Sequence, residues 1–532
     1  MTERVLVYLP DPYGVGNSKY AIADSKGIEL VDGLRLSEIV HEAVTYDVMT
    51  LVDDLRRSGG TLPARLIDIG EAIRLSVGVS KSDGGEQKWN LWKRAKPHFN
   101  KVTDWKLAQS LHEGRALHPN AEELLSYLGM LANAITSLWS ATKQELSSNC
   151  EIDRFFSVEV PVAQIFYNRQ FKGVPIDTAK TGAAIQKASA AKYDAYREVA
   201  DALKVSPTGL SYWNISRHLK NTDAPEIGET IEGYALRDQL KLAADISVFA
   251  KSFTEYQSAS RDVAVLTRLS DGDGRVHPIF HPMGTISGRI LVSDPHLQEL
   301  RRSFRHSIAA DYGCEVVYFD YSQFEPGIMA SISEDQKLIA LYNTGDVYSA
   351  LSQEIFGSSE HRNLSKKVFL AFSYGMSAEG IAALVVGKNA HQAKRTEIEA
   401  AIKSFFSQFH LLAEFKLESE KRLAANGYVS SLLGNYRHRN KDGALTGKER
   451  RWSLSHTIQG TASLIFKRAL LSITHEFGPD AVILPMHDAV VMQLPTASLV
   501  EMSERVKHLM EEAFVEYCPR LTVKVTAGKF DG

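Results

Sequence analysis

Two aspartates in this chain each follow an apolar run. Val316-Val317-Tyr318-Phe319 leads into Asp320, and Ala481-Val482-Ile483-Leu484 leads on through Met486-His487 to Asp488. Short apolar runs of this kind read as buried strands. A strand that ends in a carboxylate places it at the edge of a core, where a divalent ion can sit. Two such carboxylates, far apart in sequence, can converge on a pair of hard cations. Such a pair activates an attacking oxygen and stabilises the leaving oxygen of a phosphoryl transfer. Between the two aspartates, Arg362, Lys366, Leu370 and Tyr374 recur every four residues. On a helix they form one slowly drifting stripe about 18 Å long. An ordinary amphipathic helix would make that stripe apolar, whereas here two cations share it with a tyrosine that Gly375 follows. Arg451, Ser455 and Gln459 repeat the same spacing later in the chain.

The elements that must position these residues are outlined by the rest of the sequence. Val5 to Leu9 reads as a strand with turn residues after it, 121–146 has helical periodicity, and 160–273 reads as mainly helical. The 532 residues suffice for two to four domains with substantial cores. Hydrophobic residues at 44% and charged residues at 23% are ordinary globular usage, so neither a disordered nor a fibrous chain is indicated. A net charge of −3 does not announce nucleic-acid binding in bulk. Positive charge is instead clustered, at Arg301, Arg302 and Arg305, at Lys366 and Lys367, at Arg437, Arg439 and Lys441, and at Lys448, Arg450 and Arg451. Cys150, Cys314 and Cys518 lack metal-ligand spacing and cannot build a disulfide framework, which suits a reducing compartment. No signal-peptide core and no apolar run of membrane-spanning length is present, so a soluble, cytoplasmic protein with no membrane partner is expected.

At the two aspartates a family resemblance becomes specific. The segment from Asp320-Tyr321-Ser322-Gln323-Phe324-Glu325 to Ala330 resembles motif A of family A (polymerase I-like) DNA polymerases, which usually reads D-Y-S-Q-I-E-L-R. His487-Asp488 resembles motif C, commonly V-H-D-E, and the segment from Arg362 to Ser377 resembles motif B, the nucleotide-binding helix. Gly173-Val174-Pro175-Ile176-Asp177, then Thr285-Ile286-Ser287-Gly288-Arg289 with Asp294-Pro295 and Leu297-Gln298, and finally Gln459-Gly460-Thr461-Ala462 extend the match. It runs from roughly Phe155 to the C terminus.

The resemblance implies an α+β right-hand polymerase, with an antiparallel palm sheet and helical fingers and thumb. The implied divisions are 151–273 for the thumb with the lead-in to the palm, 274–345 for the palm with motif A, 346–435 for the fingers with motif B, and 436–532 for the palm with motif C. It implies template-directed, primer-dependent DNA synthesis from dNTPs on primer–template DNA. Two Mg²⁺ ions would be held by Asp320 and Asp488, with Mn²⁺ able to substitute. Lys366 joins the aspartates as a catalytic residue that protonates the leaving pyrophosphate. The dNTP would meet Arg362, Lys366, Leu370, Tyr374, Tyr348, Gln323 and Glu325, the last of these excluding a 2′-hydroxyl. DNA would meet Arg289, Arg451, Ser455 and Gln459 in the minor groove of the new pair, and His487 at the primer terminus. Ser206-Pro207-Thr208 and Trp213-Asn214-Ile215 suit a thumb tip that contacts the DNA backbone. Helicase, primase or clamp partners are left open, as is the source, which a bacterial replicon, a phage or a plasmid would each fit.

Residues 1–150 resemble a 3′–5′ exonuclease domain of the α/β RNase H-like type, through Tyr46-Asp47, Asp68 and Tyr127. Its metal ligands are mostly missing. Leu9-Pro10-Asp11 stands where Asp-x-Glu is needed, and Leu131 stands where an aspartate should follow Tyr127. A degenerate domain without proofreading is therefore expected, and no 5′-nuclease domain is expected. The polymerase motifs also depart from the family at Leu370, Tyr348, Pro326-Gly327, Ser455 and Ala489. Two rival readings remain, an RNA-synthesising polymerase, against which Glu325 argues, and a non-catalytic DNA-binding replication factor with a decayed site.

Overall fold

The computed structural model describes residues 3–11, 18–204, 211–220, 240, 248–272, 274–386 and 392–531. Ser206-Pro207-Thr208 therefore lie outside the described residues, whereas Trp213 to Ile215 fall in the helix Tyr212–Lys220.

The N-terminal part is built on five strands, β1 (Val5–Leu9), β2 (Lys19–Asp24), β3 (Gly27–Val31), β4 (Glu42–Thr45) and β5 (Arg65–Asp68), in the order β3-β2-β1-β4-β5. The first three are antiparallel, while β4 runs parallel to β1 and to β5. All five residues of β1 are buried, as a central strand covered on both faces requires. Helices follow the parallel strands at Val48–Arg57 and Ile69–Val77. The helix Ala121–Ser148 is long and apolar enough to cross a membrane by length and composition, with a mean hydropathy of 1.2 over its most apolar stretch. Here Leu128, Leu131, Ile135, Leu138 and Trp139 are buried in the core that it shares with β1, so it is a core helix of this part of the protein.

A helix at Val160–Lys172 leads out of this core. Its Arg169 is fully buried and donates to the carbonyls of Val482 at 2.8 Å and Asp480 at 2.7 Å, which pins the helix to the start of a distant strand. Two long helices, Thr178–Leu203 and Val248–Ser270, then pack along each other. Asp177 caps the first by accepting from the Lys180 amide. Short pairs, β6 (Val174–Pro175) with β7 (Arg275–Val276) and β8 (Ile279–His281) with β9 (Leu291–Ser293), connect this helical region to the sheet beyond.

The C-terminal sheet is four-stranded and antiparallel throughout. It contains β10 (Cys314–Tyr321), and after the hairpin β11 (Tyr428–Ser431) and β12 (Gly434–His438) come β13 (Val482–Met486), β14 (Ala489–Pro495) and β15 (Val525–Gly528). The strand order is β13-β14-β10-β15. The alternation along β10 sends Val317, Phe319 and Tyr321 into the main core and leaves Val316, Tyr318 and Asp320 on the opposite face. Full burial of Phe319 alone contributes about 2–3 kcal/mol. Helices surround the sheet, among them Phe324–Ser333, Val347–Phe356, Arg362–Ser373 and the 31-residue Gly447–Phe477, whose start is fixed by a capping box between Thr446 and Glu449.

Candidate active site and its relatives

The register of the central sheet pairs Asp320 with Ala489, the residue after Asp488. Asp488 and His487 form the two-residue turn between β13 and β14, and His487 takes a φ of 60° to make it. The two aspartates therefore meet at one end of the sheet, as their strand-end positions demanded. Burial raises the pKa of both above the ordinary carboxylate range. At Asp488 the charge of Asp320 adds to that rise, while Arg289 and Lys366 oppose it. At Asp320, Lys366 and then Arg305 oppose it. Two half-dry carboxylates that repel each other are poised for a cation. Mg²⁺ suits such a pair, because it binds through one or two carboxylates with substrate phosphates completing its shell.

A third carboxylate extends the network. Glu325, in the first turn of the helix Phe324–Ser333, is buried, and one of its oxygens accepts from the Arg289 guanidinium at 2.6 Å. The other accepts from the Tyr374 hydroxyl at 2.5 Å. Arg289 also lies 3.9 Å from Asp488. One guanidinium thus serves two carboxylates, and Glu325 is braced between a cation and a phenol. Burial and the neighbouring Asp488 push the Glu325 carboxyl upward, against Arg289 and Tyr374.

The stripe expected over 362–374 is a helix, Arg362–Ser373, and Tyr374 caps it at its C-terminal end. Gly375 takes a φ of 94°, and a Cβ there would lie 3.0 Å from Cγ of Arg451. The close approach of the helix Gly447–Phe477 thus explains the glycine and brings Arg451 beside Tyr374. Lys366 is exposed and makes no ion pair or hydrogen bond among the described residues. Arg362 is differently placed. Its guanidinium is forked onto Asp346, with contacts of 3.1, 3.1 and 2.6 Å, and lies 5.3 Å from the Tyr348 ring centroid. Gln323, with φ of 54°, accepts from the Val347 amide at 2.7 Å and so joins motif A to the helix Val347–Phe356. Leu370 is half-buried against the main core. Arg451, Ser455 and Gln459 make no side-chain hydrogen bond or ion pair among the described residues, which leaves their polar atoms free. Asp346 is the residue of this site that the sequence did not single out, whereas Arg305 stood out only as a member of a basic cluster. Asp346 was passed over because its partner lies 16 residues away and only the packing of two helices joins them.

At the N-terminal sheet, Asp47 is tied to neighbouring side chains. It accepts from Thr50 at 2.8 Å and pairs with His112 at 2.9 Å. Burial works against its ionisation, but the His112 and Thr50 contacts together outweigh this and lower its pKa. The Tyr8 and Tyr46 rings stack with centroids 5.1 Å apart, and Trp92 and His112 close around them. The Tyr8 hydroxyl donates to the Asp47 carbonyl at 2.9 Å. Leu131 is buried, and Asp68 accepts from the amides of Val48 at 2.9 Å and Gly70 at 2.7 Å.

The sequence profile of DNA polymerase family A matches residues 218–531, more than half of the chain. The chain belongs to that family. Among family members, DNA polymerase I of Pseudomonas aeruginosa is 29% identical over 289 residues, which cover 49% of this chain and 31% of the relative. DNA polymerase I of Streptococcus pneumoniae is 24% identical over 450 residues, covering 78% of this chain and 50% of the relative. The DNA polymerase of Bacillus phage SP01 is 26% identical over 307 residues, covering 52% and 33%. The chain thus spans about a third to a half of these relatives' lengths. In fold it is similar to the POL domain of Pol1 from M. smegmatis, solved in complex with DNA primer-template and dNTP. That likeness has a TM-score of 0.78 at 19% identity and covers 99% of this chain and 96% of the other. The expected family membership is borne out, and the family A polymerase domain fold with it.

Proposed function

We propose that this chain is a DNA-directed DNA polymerase that adds dNTPs to a primer 3′ end under template direction. The observation that carries the reading is the pairing of β10 with β14, which sets Asp320 beside Asp488 at one end of the sheet. Mg²⁺ held by these two carboxylates, as two ions and with Mn²⁺ as a substitute, would activate the attacking oxygen and neutralise charge on the transferred phosphate.

The chain's own residues do the rest. Lys366, unpaired and exposed, lies where it can hold the triphosphate and deliver a proton to the leaving pyrophosphate. Arg362 reaches the triphosphate by exchanging Asp346 for phosphate, and Tyr348 supplies the ring it lies against in the meantime. Glu325, held rigid by Arg289 and Tyr374, occupies the space a 2′-hydroxyl would need. Leu370 fills space beside the sugar, and Gln323 fixes the backbone between motif A and the next helix. Arg289, Arg451, Ser455 and Gln459 offer donors to the minor groove, where every correct pair presents acceptors, so they test pair shape without reading sequence. His487 meets the primer terminus.

In this reading 274–345 and 436–532 form the palm, 346–435 the fingers and 151–273 the thumb. Residues 1–150 form an exonuclease-type domain that has lost its chemistry, since the one motif aspartate aligned as a ligand, Asp47, is spent on His112. A primer-extension assay with dNTPs and then NTPs tests the proposal. Template-directed extension with dNTPs supports it, extension with NTPs alone makes the chain an RNA polymerase, and DNA binding without extension makes it a non-catalytic factor.

A further inference from the structure

A cavity of about 450 Å³ opens on the β15 side of Asp320, lined by Arg302, Arg305, Tyr318 and Lys529. Arg305 is fixed within it by aromatic rings. Its guanidinium lies 4.8 Å from the Phe530 ring centroid and 5.9 Å from that of Tyr318, a residue on the same face of β10 as Asp320. Burial lowers the pKa of Arg305 and the charge of Arg302 adds to this, while Tyr318 and Asp320 oppose it. The two arginines line the same cavity. Arg302 and Lys529 are exposed and have no ion-pair or hydrogen-bond partner among the described residues. The contrast with Arg301 is direct, since that neighbour is neutralised by Glu255 and Asp262 of the helix Val248–Ser270. Arg305 donates to the Leu300 carbonyl at 3.4 Å and faces Asp320 across the groove, but nothing among the described residues offsets Arg302 and Lys529, and an anion would.

We propose that Arg302, Arg305 and Lys529 form a phosphate-binding groove that takes a backbone phosphate of the strand whose 3′ end lies at Asp320. This rests on the polymerase reading and adds a strand contact to it. The alternative source of the same chemistry is pyrophosphate. One observation favours the strand. The segment Arg302–Ser307 packs against the helix Thr178–Leu203, one of the two long helices assigned to the thumb, so the groove lies toward the side from which duplex DNA would arrive.

The test compares the full-length wild type with Arg302→Ala/Lys529→Ala, two exposed positions whose truncation leaves the packing intact. Affinity for a primer–template is measured from 50 to 200 mM salt, and pyrophosphate inhibition of extension is measured in parallel. Each lost phosphate contact removes about one unit from the slope of log affinity against log salt. The double variant is expected to lose about one unit of slope and about 10-fold in affinity near 100 mM salt, with pyrophosphate inhibition unchanged within about twofold. A single neutral methylphosphonate in the primer strand near its 3′ end should weaken wild-type binding and leave the variant's binding unchanged. An unchanged salt slope in the variant overturns the groove. Weakened pyrophosphate inhibition with DNA affinity intact overturns the strand assignment and gives the groove to the leaving group. Wild-type protein that neither binds nor extends the primer–template refutes the polymerase reading itself.

Discussion

Replacing Arg289 with alanine should destabilise the protein through the carboxylates it leaves behind. The guanidinium lies 2.6 Å from Glu325 and 3.9 Å from Asp488, and its side chain is 25% exposed. At an effective dielectric of about 20 these contacts correspond to gross attractions of about 6 and about 4 kcal/mol. Desolvation of all three groups cancels much of that. Removing one partner of a buried pair nevertheless costs about 3–5 kcal/mol, because the remaining charge is stranded. Allowing for the partial exposure of Arg289, the loss should be about 2–4 kcal/mol. Glu325→Gln should cost far less, since it removes a charge that burial already disfavours. Combined with Arg289→Ala it should recover at least half of the loss. Urea unfolding of the four proteins without DNA or nucleotide measures the cycle. Additive single effects, or a loss under about 0.5 kcal/mol for Arg289→Ala, would show that Arg289 does not neutralise this site.

Further outcomes follow from individual contacts. Glu325→Ala should raise ribonucleotide incorporation relative to deoxyribonucleotides in single-nucleotide kinetics, and unchanged discrimination would move the gate to Tyr374 or Phe324. A labelled primer with a 3′ mismatch, incubated with Mg²⁺ and no nucleotide, should stay intact, and shortening that Asp47→Ala abolishes would show a working exonuclease. Asp346→Asn frees Arg362 and should lower the KM for dNTP severalfold with kcat little changed, whereas a raised KM would mean that Asp346 positions the arginine productively. Burial and the charge of Glu71 push Asp68 up to about 7. Unfolded, Asp68 titrates near about 4, so the folded chain binds more protons between these values and stability should fall as pH rises from about 4 to about 7. The fall attributable to this pair should be about 2–4 kcal/mol, and Asp68→Asn should flatten the profile measured by urea unfolding.

The parts of this architecture that were legible in the sequence are those written in short-range patterns. The apolar runs before Asp320 and Asp488 are strands, the four-residue spacing of Arg362, Lys366 and Leu370 is a helix, and the motifs identified the family. The helical stripe failed only at Tyr374, where a neighbouring helix approaches so closely that Gly375 must turn the chain. What stayed hidden depends on residues far apart in sequence. Glu325 finds Arg289 across 36 residues and Tyr374 across 49, and Asp47 finds His112 across 65. No local periodicity encodes those distances, because the packing of whole elements sets them. The groove at Arg302, Arg305 and Lys529 was half visible as a cluster of arginines. Its lysine lies more than 220 residues downstream and arrives only through the pairing of β15 with β10.

The central claim is that Asp320 and Asp488 together make this fold a nucleotidyl-transfer site. Primer extension on a primer–template with Mg²⁺ and dNTPs, run in parallel with a DNA-binding assay on wild type, Asp320→Asn and Asp488→Asn, tests it most directly. Template-directed extension by the wild type is expected, with a loss of at least about 10³-fold in each variant and DNA affinity little changed, since a lost carboxylate removes metal positioning and leaves the phosphate contacts in place. Extension by the Asp320→Asn/Asp488→Asn double variant at a rate near that of the wild type would contradict the account.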